Sequence, residues 1–430
     1  MNLLKANIQQ LIDQTKVTFG LDLYYLKRHS FHRYVNMFNE TVYTLNMEWF
    51  PSHETEPEDD DLNPDGTAVI EVNLNTGQTE SVIFVMDKTY AQHGVTFKRP
   101  YPAHVIQWIE QETGLIYGEH FHMHQKEKGE LSFEEAIDGV KVTPSGRIEV
   151  KWNEHGQLMY FTHHGPFLAK TLLKAEEYVL SLDQVKNLAK QQVQMFQWPS
   201  FEHNQIRSIY ALEEIYVKND GTGTLPFEIG REETNCIHMN EVIEWNEPIN
   251  NAFEKKEMDI HENISAEQAF SLEPSPDSFP ISKEDQDECI KAVRTFLAQK
   301  YPKDTGKWVL KTLQRDHGYI HAILKTNEQE GSGFMDKIKV FIDANTFEAI
   351  NYIDKKEMFQ VCGILNPSQT ASEITITQKQ AFETLRERLE LTPIYVYDDV
   401  QKQYVLCGKL DCHDGVDAVS GEVFSLTDLS

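Results

Sequence analysis

The residues best suited to chemistry are the histidines of the run Glu119-His120-Phe121-His122-Met123-His124. On a strand, positions i, i+2 and i+4 share one face, so His120, His122 and His124 would line up while Phe121 and Met123 turn to the core. Imidazoles at that spacing can chelate zinc, and His163 or His164 would add a ligand if their strand packed alongside. The sequence completes no set around them, having no HExxH and no cysteine near the run. The polar side of a half-buried strand explains the same alternation, and that is the expectation here. No catalytic residue, cofactor or metal is expected, and His120, His122 and His124 are the candidates should a metal be held.

Other chemistry-bearing groups read as structure. Asp61-Leu62-Asn63-Pro64-Asp65-Gly66 fits the first half of a calcium loop, but Val72 stands where the bidentate Glu belongs, and an Asn-Pro-Asp-Gly turn accounts for the residues. The run from Glu54 to Asp61 reads as a solvated acidic loop. With 68 acids in the chain, no single carboxylate pair stands out for general acid-base work. The cysteines at 236, 289, 362, 407 and 412 are odd in number and form no CxxC, so they read as reduced, mostly buried thiols. Cys412 and His413 are neighbours, which on an extended chain point to opposite faces. Gly221-Thr222-Gly223 and Gly331-Ser332-Gly333 both lack the third glycine of a dinucleotide fingerprint, and neither a phosphate-binding G-x-x-x-x-G-K-[ST] nor a G-x-S-x-G elbow occurs.

The elements that would position these groups follow from size and pattern. A chain of 430 residues and 49.8 kDa suggests about three globular units at the usual domain size. Its hydrophobic fraction of 40% and aromatic fraction of 11% are enough for cores. Forty Lys and Arg against 68 Asp and Glu leave a charge of -28, which speaks against nucleic acid and anionic membranes as partners. No stretch approaches the length of about 18 apolar residues that a membrane helix needs. The start, Met1 to Asn7, turns polar before a secretory segment could form, so a cytoplasmic protein is expected, without membrane insertion.

An amphipathic helix, short strands and a hairpin recur along the chain. The hairpin turns are placed at Val72-Asn73-Leu74-Asn75-Thr76-Gly77, Lys151-Trp152-Asn153-Glu154-His155-Gly156, Glu244-Trp245-Asn246-Glu247, Ile342-Asp343-Ala344-Asn345-Thr346 and Val416-Asp417-Ala418-Val419-Ser420-Gly421. With Asn73, Trp152, Trp245, Asp343 and Asp417 as equivalents, the spacings are 79, 93, 98 and 74 residues. Asn or Asp can fold back on the backbone to begin a turn, and glycine accepts the positive φ that closes it. The preceding helices are marked by Thr377 with Gln380, Ser181 with Gln184, Ser282, Pro102 and the stripe Leu4, Ile8, Leu11 and Ile12. The expected fold is α+β, about five helix-plus-antiparallel-sheet units: 1–86, 87–170, 171–249, 282–356 and 370–430. A polar, proline-containing linker at 250–281 is interrupted by a short capped turn at Ser265.

A helix followed by a meander that ends in a V-D-A-x-[ST]-G-x-[VI] hairpin resembles the PepSY module of peptidase propeptides and related bacterial proteins. Gly415-Val416-Asp417-Ala418-Val419-Ser420-Gly421-Glu422-Val423 matches best, and Val340-Phe341-Ile342-Asp343-Ala344-Asn345-Thr346-Phe347 follows with Phe347 in place of glycine. Several such units in one chain resemble the YcdB/YcdC repeat family of Bacillus-type bacteria. Trp152 and Trp245 stand where the pattern has Asp or Asn, which makes those two units divergent. The resemblance implies a non-catalytic module that binds a protein or peptide and restrains or regulates a peptidase. A metal-dependent enzyme built on the histidine row and a structural or assembly protein are the alternatives.

Overall fold

The computed structural model describes residues 2–53, 62–99, 101–165, 167, 169–174, 176–200, 205–227, 236–326, 337–361 and 374–429. The acidic run from Glu54 to Asp61, the Gly331-Ser332-Gly333 sequence and Cys362 lie outside the described residues. The chain divides into two compact units: Met1–Lys174 with Glu262–Ser275 and Tyr395–Tyr404, and Ala175–His261 with Pro276–Ile394 and Val405–Ser430. Helices and antiparallel sheets are mixed throughout, an α+β architecture.

The first unit begins with helix α1 (Asn2–Thr18) and strands β1 (Tyr24–Val35), β2 (Thr41–Pro51), β3 (Ala68–Asn73) and β4 (Thr79–Phe84). Helix α2 (Tyr101–Thr113) then precedes β5 (His122–Glu127), β6 (Glu130–Glu134), the small hairpin β7 (Ala136–Ile137) and β8 (Val140–Thr143), β9 (Arg147–Trp152) and β10 (Leu158–His164). Eight of these strands form one sheet in the order β1-β2-β3-β4-β10-β9-β6-β5. The period-two pattern decides its inner face: Leu45, Met47 and Trp49 of β2, Ile70 of β3, Val82 of β4 and Phe161 of β10 share one core with Val105 and Ile109 of α2. Leu11 and Ile12 of α1 pack against that core. Both helices therefore cover the same face of the sheet. The seam pairs Ser81 with Thr162, Val82 with Phe161 and Ile83 with Tyr160. A shift of 79 residues carries 81, 82 and 83 onto 160, 161 and 162, so the seam maps onto itself.

The chain continues with α3 (Leu182–Gln192), β11 (Val193–Ser200), β12 (Gln205–Leu212), β13 (Ile215–Lys218), β14 (Thr224–Pro226) and β15 (Ile237–Ile243). After α4 (Ala266–Ser271), which belongs to the first unit, come α5 (Lys283–Lys300), β16 (Trp308–Asp316), β17 (Tyr319–Thr326), β18 (Lys337–Asp343), β19 (Ala349–Asp354) and α6 (Lys355–Val361). The last stretch is α7 (Gln378–Leu385), β20 (Glu390–Asp398), β21 (Gln403–Asp411), β22 (Asp414–Asp417) and β23 (Val423–Ser425). In the second unit, β15 to β19 form a sheet in sequence order, and α5 buries Val293, Phe296 and Leu297 on it. Helix α3 supplies Val185 and Ala189, and α7 supplies Phe382 and Leu385, to one further core with Leu212, Val217, Leu410 and Val416.

Local signals place the helix starts. Thr377 Oγ1 accepts from Gln380 N–H and Gln380 Oε1 accepts from Thr377 N–H at 2.9 Å, and Ser282 with Asp285 repeats the arrangement. Ser265 with Gln268 caps α4 in the same way. That proline-containing stretch is held at several points: Lys256 N–H donates to Ile350 O in the second unit, and Glu262 pairs with Arg33 in the first.

Two of the five expected turns need correction. Trp152 is not the turn residue: it ends β9 with 8% exposure, and Asn153 begins the turn one position later. The third hairpin is not at Trp245. Strand β15 ends at Ile243 and pairs with β16, whereas the turn joining β13 to β14 runs from Lys218 to Gly223, closed by Lys218 N–H to Gly223 O at 2.9 Å. Gly221-Thr222-Gly223, read from sequence only as an incomplete dinucleotide loop, lies in this turn.

Candidate functional site

The outer face of the eight-stranded sheet is built by residues that alternate with the core. Strand register places Ser30 opposite Asn46, Asn46 opposite Glu71, Glu71 opposite Ser81 and Ser81 opposite Thr162. The row continues from Thr162 to Glu149, Glu149 to Ser132 and Ser132 to Gln125. One polar side chain from each of eight strands thus forms a continuous ladder, about 34 Å wide at the usual spacing between strands.

The ladder is recessed at several of its positions. Ser81, Thr162 and Ser132 are 7%, 7% and 4% exposed, while Ile83 in the flanking row is 37% exposed. Short side chains between taller rows make a shallow trough. Within it, Ser132 Oγ and Asn46 Oδ1 have no hydrogen-bond partner. Both atoms are buried beneath the surface, so the groups of this row that a docked segment can reach are the half-buried carboxylates of Glu71 and Glu149.

The electrostatics favour hydrogen-bond donors. Arg28 pairs with Glu48, Arg147 with Glu149, and Lys151 with Glu130 at 2.9, 2.9 and 3.1 Å, so these cations are already matched by carboxylates. Glu71 accepts from Thr44 Oγ1 at 2.6 Å, and Glu80 accepts from Asn73 Nδ2 at 2.6 Å and Tyr34 OH at 3.2 Å. Burial pushes the Glu80 pKa up, reinforced by the charge of Glu71 and opposed by the donors Asn73 and Tyr34. Glu80 reaches this face through a bulge, because Glu71 pairs with Ser81 but Val72 pairs with Thr79.

The histidine row does not form as expected. His120 lies in the turn before β5, and its Nδ1 accepts from Ile116 N–H at 3.0 Å. His122 is the first residue of β5, opposite Glu134, and its Nδ1 is buried without a partner. His124 falls at a register shift between Met123 and Gln125, which breaks the alternation, and its Nδ1 lies 3.2 Å from Glu134 Oε2. Phe121 and Met123 do pack on the core. His163 and His164 sit on β10, separated from β5 by β9 and β6. His163 stacks on Phe167 at 5.2 Å, and burial, with a smaller contribution from His164, lowers its pKa to about 4. Among the described residues no three His, Cys, Asp or Glu side chains gather to hold a metal ion.

The calcium-like loop is likewise divided. Asp61 lies outside the described residues, Asp65 pairs with Lys88, and Asn63 Oδ1 accepts from Arg28 Nη2 at 3.3 Å. Alternation within β3 is enough to put Val69, Glu71 and Asn73 on one face, but the rest of the ladder is not legible in the sequence. Alternation marks which residues share a face of one strand; it does not say which strand lies beside it.

No family model matches the chain, and no curated protein matches it. Among solved structures, the Bacillus megaterium YpeB C-terminal domain aligns with 80% of this chain and 96% of that chain, at 10% sequence identity and a TM-score of 0.23. No described helix is long and apolar enough to cross a membrane.

Proposed function

We propose that the chain is a non-catalytic binding protein that docks a peptide or protein segment on the polar outer face of its eight-stranded sheet. The observation that carries this reading is the ladder from Ser30 to Gln125, with the half-buried carboxylates of Glu71 and Glu149 in it. A donor-rich extended segment would pair with the carboxylates of Glu71 and Glu149. The sequence resemblance to PepSY modules and to the YcdB/YcdC repeat family supports a partner that is a peptidase, restrained or regulated by about five such units, and the composition supports a cytoplasmic setting.

A photo-crosslinking residue in place of Ile83 on this face, compared with one in place of the exposed Gln9 on α1, tests the reading in cells. A discrete protein adduct from position 83, reduced by Glu71→Gln with Glu149→Gln, is expected. Adducts equally strong from position 9, or none from position 83, would remove the assignment.

A further inference from the structure

In both sheets described above, the second strand of each helix-plus-four-strand stretch pairs with the third of the same stretch: β2 with β3, β6 with β9, and β17 with β18. The stretches α3 to β14 and α7 to β23 depart from this. Strand β12 pairs with β22, through Ile209 with Asp417 and Tyr210 with Val416, and β13 pairs with β21, from Ile215 with Leu410 to Lys218 with Cys407. Each stretch thus donates its second hairpin to the other.

The links between second and third strands supply a cause. In the self-paired stretches they run from Pro51 to Ala68, Glu134 to Arg147 and Thr326 to Lys337; in the exchanged pair they are only Glu213-Glu214 and Cys412-His413. A two-residue reversal needs positive φ at its first or at both central positions. All four of these residues keep negative φ, so the chain runs straight on into the other sheet. Short hinges of this kind are what drives exchange in swapped dimers. The crossing is pinned by charge. Lys409 Nζ lies 2.6 Å from Asp411 Oδ2 and 3.2 Å from Glu214 Oε2, and one further step of the β13–β21 register sets these two carboxylates face to face.

We infer that these two stretches are one interlocked folding unit, formed by hinge-driven exchange of their second hairpins within a single chain, so that neither completes its sheets without the other. The unit joins residues far apart in sequence, and it cannot close until the end of the chain is available.

Lys218→Cys in the full chain offers a direct probe, because the native Cys407 is its cross-strand neighbour. Mild oxidation followed by non-reducing peptide mapping should show a 218–407 disulfide in protein whose circular dichroism is unchanged; a folded variant that forms none refutes the exchange. Inserting a flexible ten-residue loop at both hinges should abolish that disulfide by permitting self-pairing, and an undiminished yield would show that hinge length is not the cause. In the unmodified protein, hydrogen exchange across a denaturant series should release 205–218 and 403–417 together. Protection of 205–218 that outlasts 403–417 would show that the stretches are not interlocked.

Discussion

Asn73 and Asn153 perform the same task at two places in the first unit. Asn73 Oδ1 accepts from Asn75 and Thr76 N–H at 2.8 and 3.0 Å, and Asn153 Oδ1 accepts from His155 and Gln157 N–H at 3.0 Å each. In the second unit, Asp343 accepts from Asn345 and Thr346, and Asp417 from Val419 and Ser420. Asp417→Ala should remove both turn bonds and the 3.0 Å pair with Arg207, costing about 1–3 kcal/mol by urea unfolding. A change below about 0.5 kcal/mol would mean that the turn closes without its side chain.

The same bonds set an acid dependence. Burial alone would raise the pKa of Asp343 and Asp417, but their backbone donors, with Arg207 beside Asp417, hold both below the usual range. A depressed folded value stabilises above the unfolded pKa of about 3.9 and is lost as pH falls through the folded one. Acid titration of the Asp417→Asn variant should therefore show a shallower loss of stability below about pH 4 than the parent. An identical slope would exclude Asp417 as a contributor.

Core packing of α7 is tested at Leu385, which is fully buried beside Phe382 and Val416. Leu385→Ala should destabilise by about 2–5 kcal/mol. A loss below about 0.5 kcal/mol would place the helix face in solvent.

Lys409→Met should cost about 3 kcal/mol at neutral pH, because it leaves the Glu214 and Asp411 carboxylates facing each other without their cation. Burial and Asp411 already raise the Glu214 pKa. A raised folded value favours the protonated fold, so the variant should regain stability as pH is lowered from 7 toward 5, before general acid unfolding. Thermal melts at the two pH values decide it, and a deficit that does not shrink would mean the two carboxylates do not interact.

Zinc should leave the melting temperature unchanged, since His120 sits in a turn and His124 follows a register shift rather than sharing a face with His122. A saturable rise that disappears in the His120→Ala, His122→Ala double variant would establish a metal site there.

The sequence by itself determined the features whose partners lie within a few residues. The boxes at Thr377 and Ser282 and the turns at Asn73, Asp343 and Asp417 close on backbone groups two or three positions away, so residue type and spacing suffice. Trp152 shows the limit even there: the turn begins one residue later, because the indole is claimed by a core that the local pattern does not reveal. Only the tertiary structure decided which strands lie side by side. The ladder from Ser30 to Gln125, the separation of His163 from His122 and the exchange of β13 with β22 all depend on contacts between residues remote in sequence. A period of two fixes the face a residue occupies on its own strand, whereas its neighbour on that face is set by which sheet can bury the most apolar surface and by whether a link is long enough to turn back.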